Sequence, residues 1–192
     1  LRLDVSAFRY TMLVRPGECP SDYQHQLLGR GIALKEVQIS PIGPLRDIQF
    51  ARYLRSHKHF DAAFIPSNQY PVALRLPAVY VIHDVIYEQF PEQLGRFSRL
   101  KRFYLRWVVR MGLRKARQVI AVSNYTKGEV IRCFGQQFER KIQVIYEGWE
   151  HLPLASNLSP LASNLSPFEE YILYVGSSRG HKNLARLVEA IQ

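Results

Sequence analysis

The sequence predicts an α/β fold built on a doubly wound parallel sheet, and three observations lead there. Short runs rich in β-branched and aromatic residues alternate with longer segments of helical period, the pattern of βαβ units. Several runs are apolar at nearly every position, as strands covered on both faces must be. The turns after three of the runs carry small, polar or cationic residues, which suits the carboxyl edge of an open sheet, where ligands bind.

Taken in order, strands are expected over residues 10–14, 37–40, 62–65, 78–83, 119–123, 142–146 and 171–176. Helices are expected over 45–56, 97–115, 125–134 and 182–191. In the second of these, Phe97, Leu100, Tyr104, Trp107 and Met111 step by three or four and form the expected packing stripe, while Arg99, Arg102, Arg106 and Arg110 follow the same period on an adjoining face. Two places break the rhythm. From Leu154 to Pro167 the unit Leu-Ala-Ser-Asn-Leu-Ser-Pro occurs twice in tandem, rich in turn formers and suited to an exposed connection. The chain also opens close to a strand, without the strand, glycine-rich turn and helix with which a doubly wound domain ordinarily begins. The expected organisation is therefore an N-terminal domain over residues 1–150 lacking its first βα unit, a linker over 151–169, and the start of a second domain over 170–192.

Composition narrows the function classes. The chain has 192 residues, 47% hydrophobic and 22% charged, which is ordinary for a globular protein. No signal-peptide-like apolar stretch opens it, and no apolar run approaches the ~20 residues that a spanning helix needs. Cys19 and Cys133 have neither metal-ligand nor redox spacing, so free thiols, a reducing compartment and a cytoplasmic location are expected. The formal charge is +10, and nine Lys or Arg residues fall between Arg96 and Arg117 with no acidic residue among them. Such a stripe fits a solvated helix face or peripheral attachment to the anionic cytoplasmic face of a membrane; no aromatic RNA-binding signature accompanies it, so no nucleic acid is expected.

Three strand ends carry candidate chemistry. The run Val79-Tyr80-Val81-Ile82 delivers His83 and Asp84 to the sheet's crest, where His83 could contact a sugar and Asp84 could equally cap the next helix. Ser123 and Asn124, followed by Thr126, read first as a helix N-cap and second as a border for an acceptor hydroxyl or phosphate. After residues 171–176, Gly176, Ser177, Arg179, Gly180, His181 and Lys182 precede an apolar-periodic helix and make either a diphosphate cradle or a surface turn. The spacings of a P-loop and of Gly-x-Gly-x-x-Gly are both absent.

In this order the pieces resemble glycosyltransferase family 4, the retaining enzymes of GT-B type. The matching features are His83-Asp84 followed by Pro91, the basic helix ending in Lys115-Ala116-Arg117, the Ile-Ala-Val-Ser-x-x-Thr-Lys element over residues 120–127, the Gly148 turn after 141–147, and Tyr171 to Gly176 with His181-Lys182-Asn183. The last variant is similar to mannosyltransferase-like members. The resemblance implies a cleft between two Rossmann-like domains, with a hexose, mannose from GDP-mannose first, moved to a polysaccharide or lipid-linked acceptor. It further implies that Lys182 contacts the donor diphosphate with Gly176, Ser177 and Arg179. His83 would face the transferred sugar, and Asp84, Ser123, Asn124 and Thr126 would border the acceptor. No metal and no cofactor beyond the nucleotide sugar are implied. The chain departs from the family pattern at Ser177, where Arg is usual, and at Glu147, where Asn is usual. The paired-glutamate motif of the second domain would lie beyond Gln192, so the piece by itself is expected not to catalyse transfer. Two further readings stay open: a non-catalytic basic α/β module that binds anionic membrane or nucleic acid, and a GT-B epimerase or phosphorylase relative.

Overall fold

A computed structural model describes residues 7–40, 43–57, 59–95, 98–148, 174–176 and 182–191. The strands are β1 (Tyr10–Val14), β2 (Ile32–Glu36), β3 (Ala63–Ile65), β4 (Ala78–Ile82), β5 (Gln118–Ala121) and β6 (Ile142–Val144). The α-helices are α1 (Ser21–Gly29), α2 (Pro44–Ser56), α3 (Ile86–Gln89), α4 (Ser98–Lys115), α5 (Asn124–Phe134) and α6 (Leu184–Ile191). Two short 3-10 turns, Pro91–Leu94 and Gln136–Lys141, complete the elements.

All strand pairs among the described residues are parallel. β1 and β2 form a two-stranded sheet, and β3, β4, β5 and β6 pair in that order in a second. Parallel neighbours need a crossover, and α4 and α5 supply those between β4, β5 and β6. The fold is the expected α/β class with Rossmann-like βαβ units. Because the four strands run the same way, Ile65, Ile82, Ala121 and Val144 end at one common edge.

β4 is the most deeply covered strand: Ala78, Tyr80, Val81 and Ile82 are buried, as a strand with both faces packed demands. The Tyr80 ring meets Tyr70 edge to face at 5.3 Å between centroids. Gly112 of α4 lies directly against this pair; a Cβ there would stand 2.6 Å from Tyr80 Cε1 and 2.8 Å from Tyr70 Cβ. A glycine is thus what lets α4 approach the sheet. Val108, Val109 and Leu113 of α4 and Ala116 just after it fill the core with Val119 and Ala121 of β5 and Val130 and Phe134 of α5.

That packing corrects the expected stripe on the basic helix in part. Tyr104 is half-buried against the core, but Leu100 and Trp107 are exposed, Phe97 lies outside the described residues, and the fully buried side chains of the helix are Val108, Val109 and Leu113. The strand expected over residues 37–40 also moves, to Ile32–Glu36. Only Val37 belongs to its continuation, through an N–H bond to the Val14 carbonyl at 2.8 Å. The tandem repeat, the expected linker and residues 171–173 of the last expected strand lie outside the described residues, and Tyr174 to Gly176 are not in a strand.

α3 fixes the register of α4 through charge. The Glu88 side chain, 2% exposed, accepts from Arg102 Nη2 at 2.9 Å and Arg106 Nη1 at 2.7 Å. Arg106 also donates to the Cys133 carbonyl at 2.7 Å and lies over the Phe134 ring at 5.1 Å. Two of the four arginines in the cationic stripe are therefore partly spent on holding α3, α4 and α5 together.

Candidate functional site at the carboxyl edge of the sheet

The common edge of the four strands collects polar side chains from segments far apart in sequence. After β3, Asn68 reaches across to β4: its side-chain oxygen accepts from His83 N–H at 2.9 Å, and its nitrogen donates to the Asp84 carbonyl at 3.0 Å. The Tyr80 hydroxyl, inside the core, donates to the Asn68 carbonyl at 2.6 Å and so ties the crest to the buried aromatic pair. Burial pushes the Tyr80 hydroxyl far above the ordinary tyrosine range, so it remains a donor throughout the physiological range.

His83 is exposed at the end of β4, and both its ring nitrogens face acceptors. Nδ1 lies 3.0 Å from Glu147 Oε1, after β6, and Nε2 lies 3.3 Å from the Pro66 carbonyl, after β3. A ring carrying two N–H donors satisfies both at once. Asp84 Oδ1 accepts weakly from Ile86 N–H at 3.3 Å at the start of α3 and from the Asn68 amide at 3.4 Å. The N-cap of α3 is Val85, so the cap expected of Asp84 is not formed.

Ser123 caps α5 in extended backbone, its hydroxyl accepting from Thr126 N–H at 3.0 Å. Thr126 is buried, and its hydroxyl donates to the His83 carbonyl at 3.1 Å while meeting Ser123 Oγ at 3.0 Å. The cap and the histidine strand end are thereby one hydrogen-bonded unit. Asn124 remains exposed and donates to the Tyr146 hydroxyl at 3.0 Å. His83, Asp84, Ser123, Asn124 and Thr126 are brought together on one edge, joined by Asn68, Tyr146 and Glu147.

These last three were not among the sequence candidates. Pro66-Ser67-Asn68 follows a strand and is made of turn formers, a signal that the carboxyl-edge rule could have used. The other proposed cluster is only partly visible. Lys182 is exposed just before α6, Asn183 has a positive φ of 53°, and Gly176 is exposed, while Ser177 and Arg179 lie outside the described residues. Of the cationic stripe, Arg99 is exposed and Arg110 half-buried. A cavity of about 420 Å³, lined by Pro44, Asp47, Ile48, Val72, Ala73, Tyr104 and Trp107, contains none of the crest residues.

Residues 9–150 match Glycosyltransferase Family 4. The chain belongs to that family. The match covers every strand and helix of the two sheets and every crest residue, and stops before Lys182. Among solved structures, this family 4 chain is similar to Anabaena Alr3699/HepE in complex with UDP and glucose, with 19% identity, a TM-score of 0.48, and coverage of 73% of this chain and 45% of that one. The same Anabaena protein in complex with UDP-glucose gives 18% identity, a TM-score of 0.47, and coverage of 73% and 44%. The family 4 chain thus spans less than half the length of that protein. Comparison with the curated proteins finds no match.

Proposed function

We propose that the crest is the acceptor-side wall of a hexosyl-transfer site, in a protein that moves a hexose from a nucleotide-diphosphate sugar to a polysaccharide or lipid-linked acceptor with retention of configuration. The supporting observation is the His83 constellation on the carboxyl edge of a parallel sheet in a family 4 chain. A sugar hydroxyl both donates and accepts. The crest offers both roles within one hydrogen-bonded unit: the Glu147 carboxylate and Tyr146 hydroxyl accept, and the Asn124 amide and His83 ring donate. The long Nε2 contact to Pro66 is the weakest in the set and the one most easily exchanged for a substrate hydroxyl.

On this reading Lys182, with the loop from Gly176 through Ser177 and Arg179, meets the donor's diphosphate. Departure of a nucleoside diphosphate leaves negative charge, and a fixed ammonium beside helix N–H groups stabilises it without a metal ion. GDP-mannose is the first donor to try. The test uses the full-length protein and asks which of GDP-, UDP- and ADP-sugars raises its melting temperature with concentration, as a ligand bound only by the folded state must. It then asks whether Lys182→Ala lowers the turnover with that donor by about 10²–10³. Normal turnover in Lys182→Ala would remove the diphosphate assignment, and absence of both stabilisation and hexose transfer would remove the hexosyltransferase reading.

A further inference from the structure

Helix α4 carries three large apolar side chains on a face that the core does not use. Leu100, Phe103 and Trp107 are 69%, 71% and 43% exposed. At 100° per residue they share an arc of about 100° with Arg99, Arg110 and Arg114. None of these three arginines is in an ion pair among the described residues; the acid that α3 supplies, Glu88, takes Arg102 and Arg106 on the adjoining face of the helix. Trp107 also lines the cavity of about 420 Å³, whose other walls include Ile48, Val72 and Tyr104. The carboxylate in that lining, Asp47, lies 3.2 Å from Arg46. The surface is therefore an apolar ridge beside an apolar hollow, with cations interleaved along the ridge.

Three occupants have to be weighed against that chemistry. A nucleic acid would pair with the arginines but give Leu100 and the hollow no role. A second copy of the chain would bring the same arginines face to face across a symmetric contact, at a cost in like-charge repulsion. An anionic bilayer uses everything present: apolar side chains sink beneath the headgroups, Trp sits at the interface and arginines meet lipid phosphates. No described helix is long and apolar enough to cross a membrane, so the contact is one of docking on the surface. We propose that this outer face of α4, Leu100, Phe103 and Trp107 with Arg99, Arg110 and Arg114, docks the protein on an anionic lipid bilayer.

The chain has two tryptophans, so Trp149→Phe leaves Trp107 as the only one and makes it a reporter on the proposed face. The 192-residue protein carrying that change would be mixed with phosphatidylcholine vesicles with and without phosphatidylglycerol. Vesicles containing phosphatidylglycerol should pull the protein down and shift Trp107 emission to the blue; pure phosphatidylcholine should do neither. Replacing Arg99, Arg110 and Arg114 together by Gln should lower the partition coefficient about a hundredfold, at ~1 kcal/mol per basic residue near such a surface. Phe103→Ser, at a site that contributes nothing to the core, should weaken binding without lowering the melting temperature. The proposal is overturned if Trp107 emission is unmoved by anionic vesicles, if the triple variant or Phe103→Ser binds like the parent, or if a single-stranded DNA competitor of equal charge displaces the parent and the Phe103→Ser variant equally.

Discussion

At the crest the Asn68 amide spans β3 and β4, holding His83 N–H and the Asp84 carbonyl while its own carbonyl accepts from Tyr80. Asn68→Ala leaves the His83 N–H and the Asp84 carbonyl without that partner. It should cost about 1–2 kcal/mol of stability in urea melts and should loosen the histidine more than any change at exposed Asn124. A variant as stable as the parent would mean that water replaces the amide at no cost. The sequence offered His83, Ser123 and Thr126 because each follows a long apolar strand. Asn68 was hidden because β3 is only Ala63–Ile65, and Glu147 because it reads as a departure from the family's usual residue. Both become visible when the strands are set side by side. Inside the core, burial pushes the Tyr80 and Tyr87 hydroxyls well above their ordinary value, and Tyr87 OH has no hydrogen-bond partner among the described residues. Below about pH 10 the folded and unfolded chains hold these protons equally. Above it the unfolded chain releases protons that the folded one keeps, so stability falls as pH rises, by up to ~1.4 kcal/mol per pH unit for each tyrosine. Tyr87→Phe should therefore be as stable as the parent or more so at pH 7, and should flatten the decline between pH 10 and 11. Urea midpoints across that range would show it, and an unchanged slope would refute it.

Among the elements, α5 depends on its first turn and α4 on a missing side chain. Ser123→Ala removes the cap on α5 and breaks the chain through Thr126 to His83, and should cost about 1 kcal/mol. Gly112→Ala places a methyl group against the buried Tyr70–Tyr80 pair, within 2.8 Å of Tyr70 Cβ, which cannot swing aside as the end of a flexible side chain could, and should cost about 1–3 kcal/mol. A melting temperature equal to the parent's would show that α4 can move away freely. The sequence located α2, α4 and α5 to within a residue or two because each has a long helical period closed by basic residues or glycine. It missed α1, whose nine residues include Asp22, Gln24, His25 and Gln26 and bury none of their side chains, so no apolar stripe marks it. The face of α4 was assigned only in part, because its aromatic residues dominate any hydrophobic pattern while the fully buried positions of the helix are Val108, Val109, Gly112 and Leu113, with Tyr104 at the margin.

Across the molecule the two sheets differ sharply in how they are held. The four-stranded sheet buries Tyr80, Ile82, Val119 and Ala121 completely or nearly so under α4 and α5. In the other sheet β1 buries no residue, β2 buries only Ile32, and α1 buries none. A two-stranded sheet is marginal in water without a packed face, since its ladder bonds contribute little net of those they replace with solvent. Opening β1, α1 and β2 exposes little apolar surface, whereas opening β4 and β5 exposes the core. Amide exchange should therefore separate the chain into two levels: Tyr10–Val14 and Ile32–Glu36 should exchange through local opening, at least about tenfold faster than Ala78–Ile82 and Gln118–Ala121, which should exchange only with global unfolding. Gly112→Ala should narrow this contrast, lowering protection at β4 and β5 while leaving that at β1 and β2 unchanged, because the first pair exchanges through an event the substitution makes easier and the second does not. Hydrogen exchange followed by mass spectrometry on parent and variant measures both. Equal protection across the two sheets, or a parallel loss in both, would mean that they open as one cooperative unit and that β1 and β2 are held by the core after all.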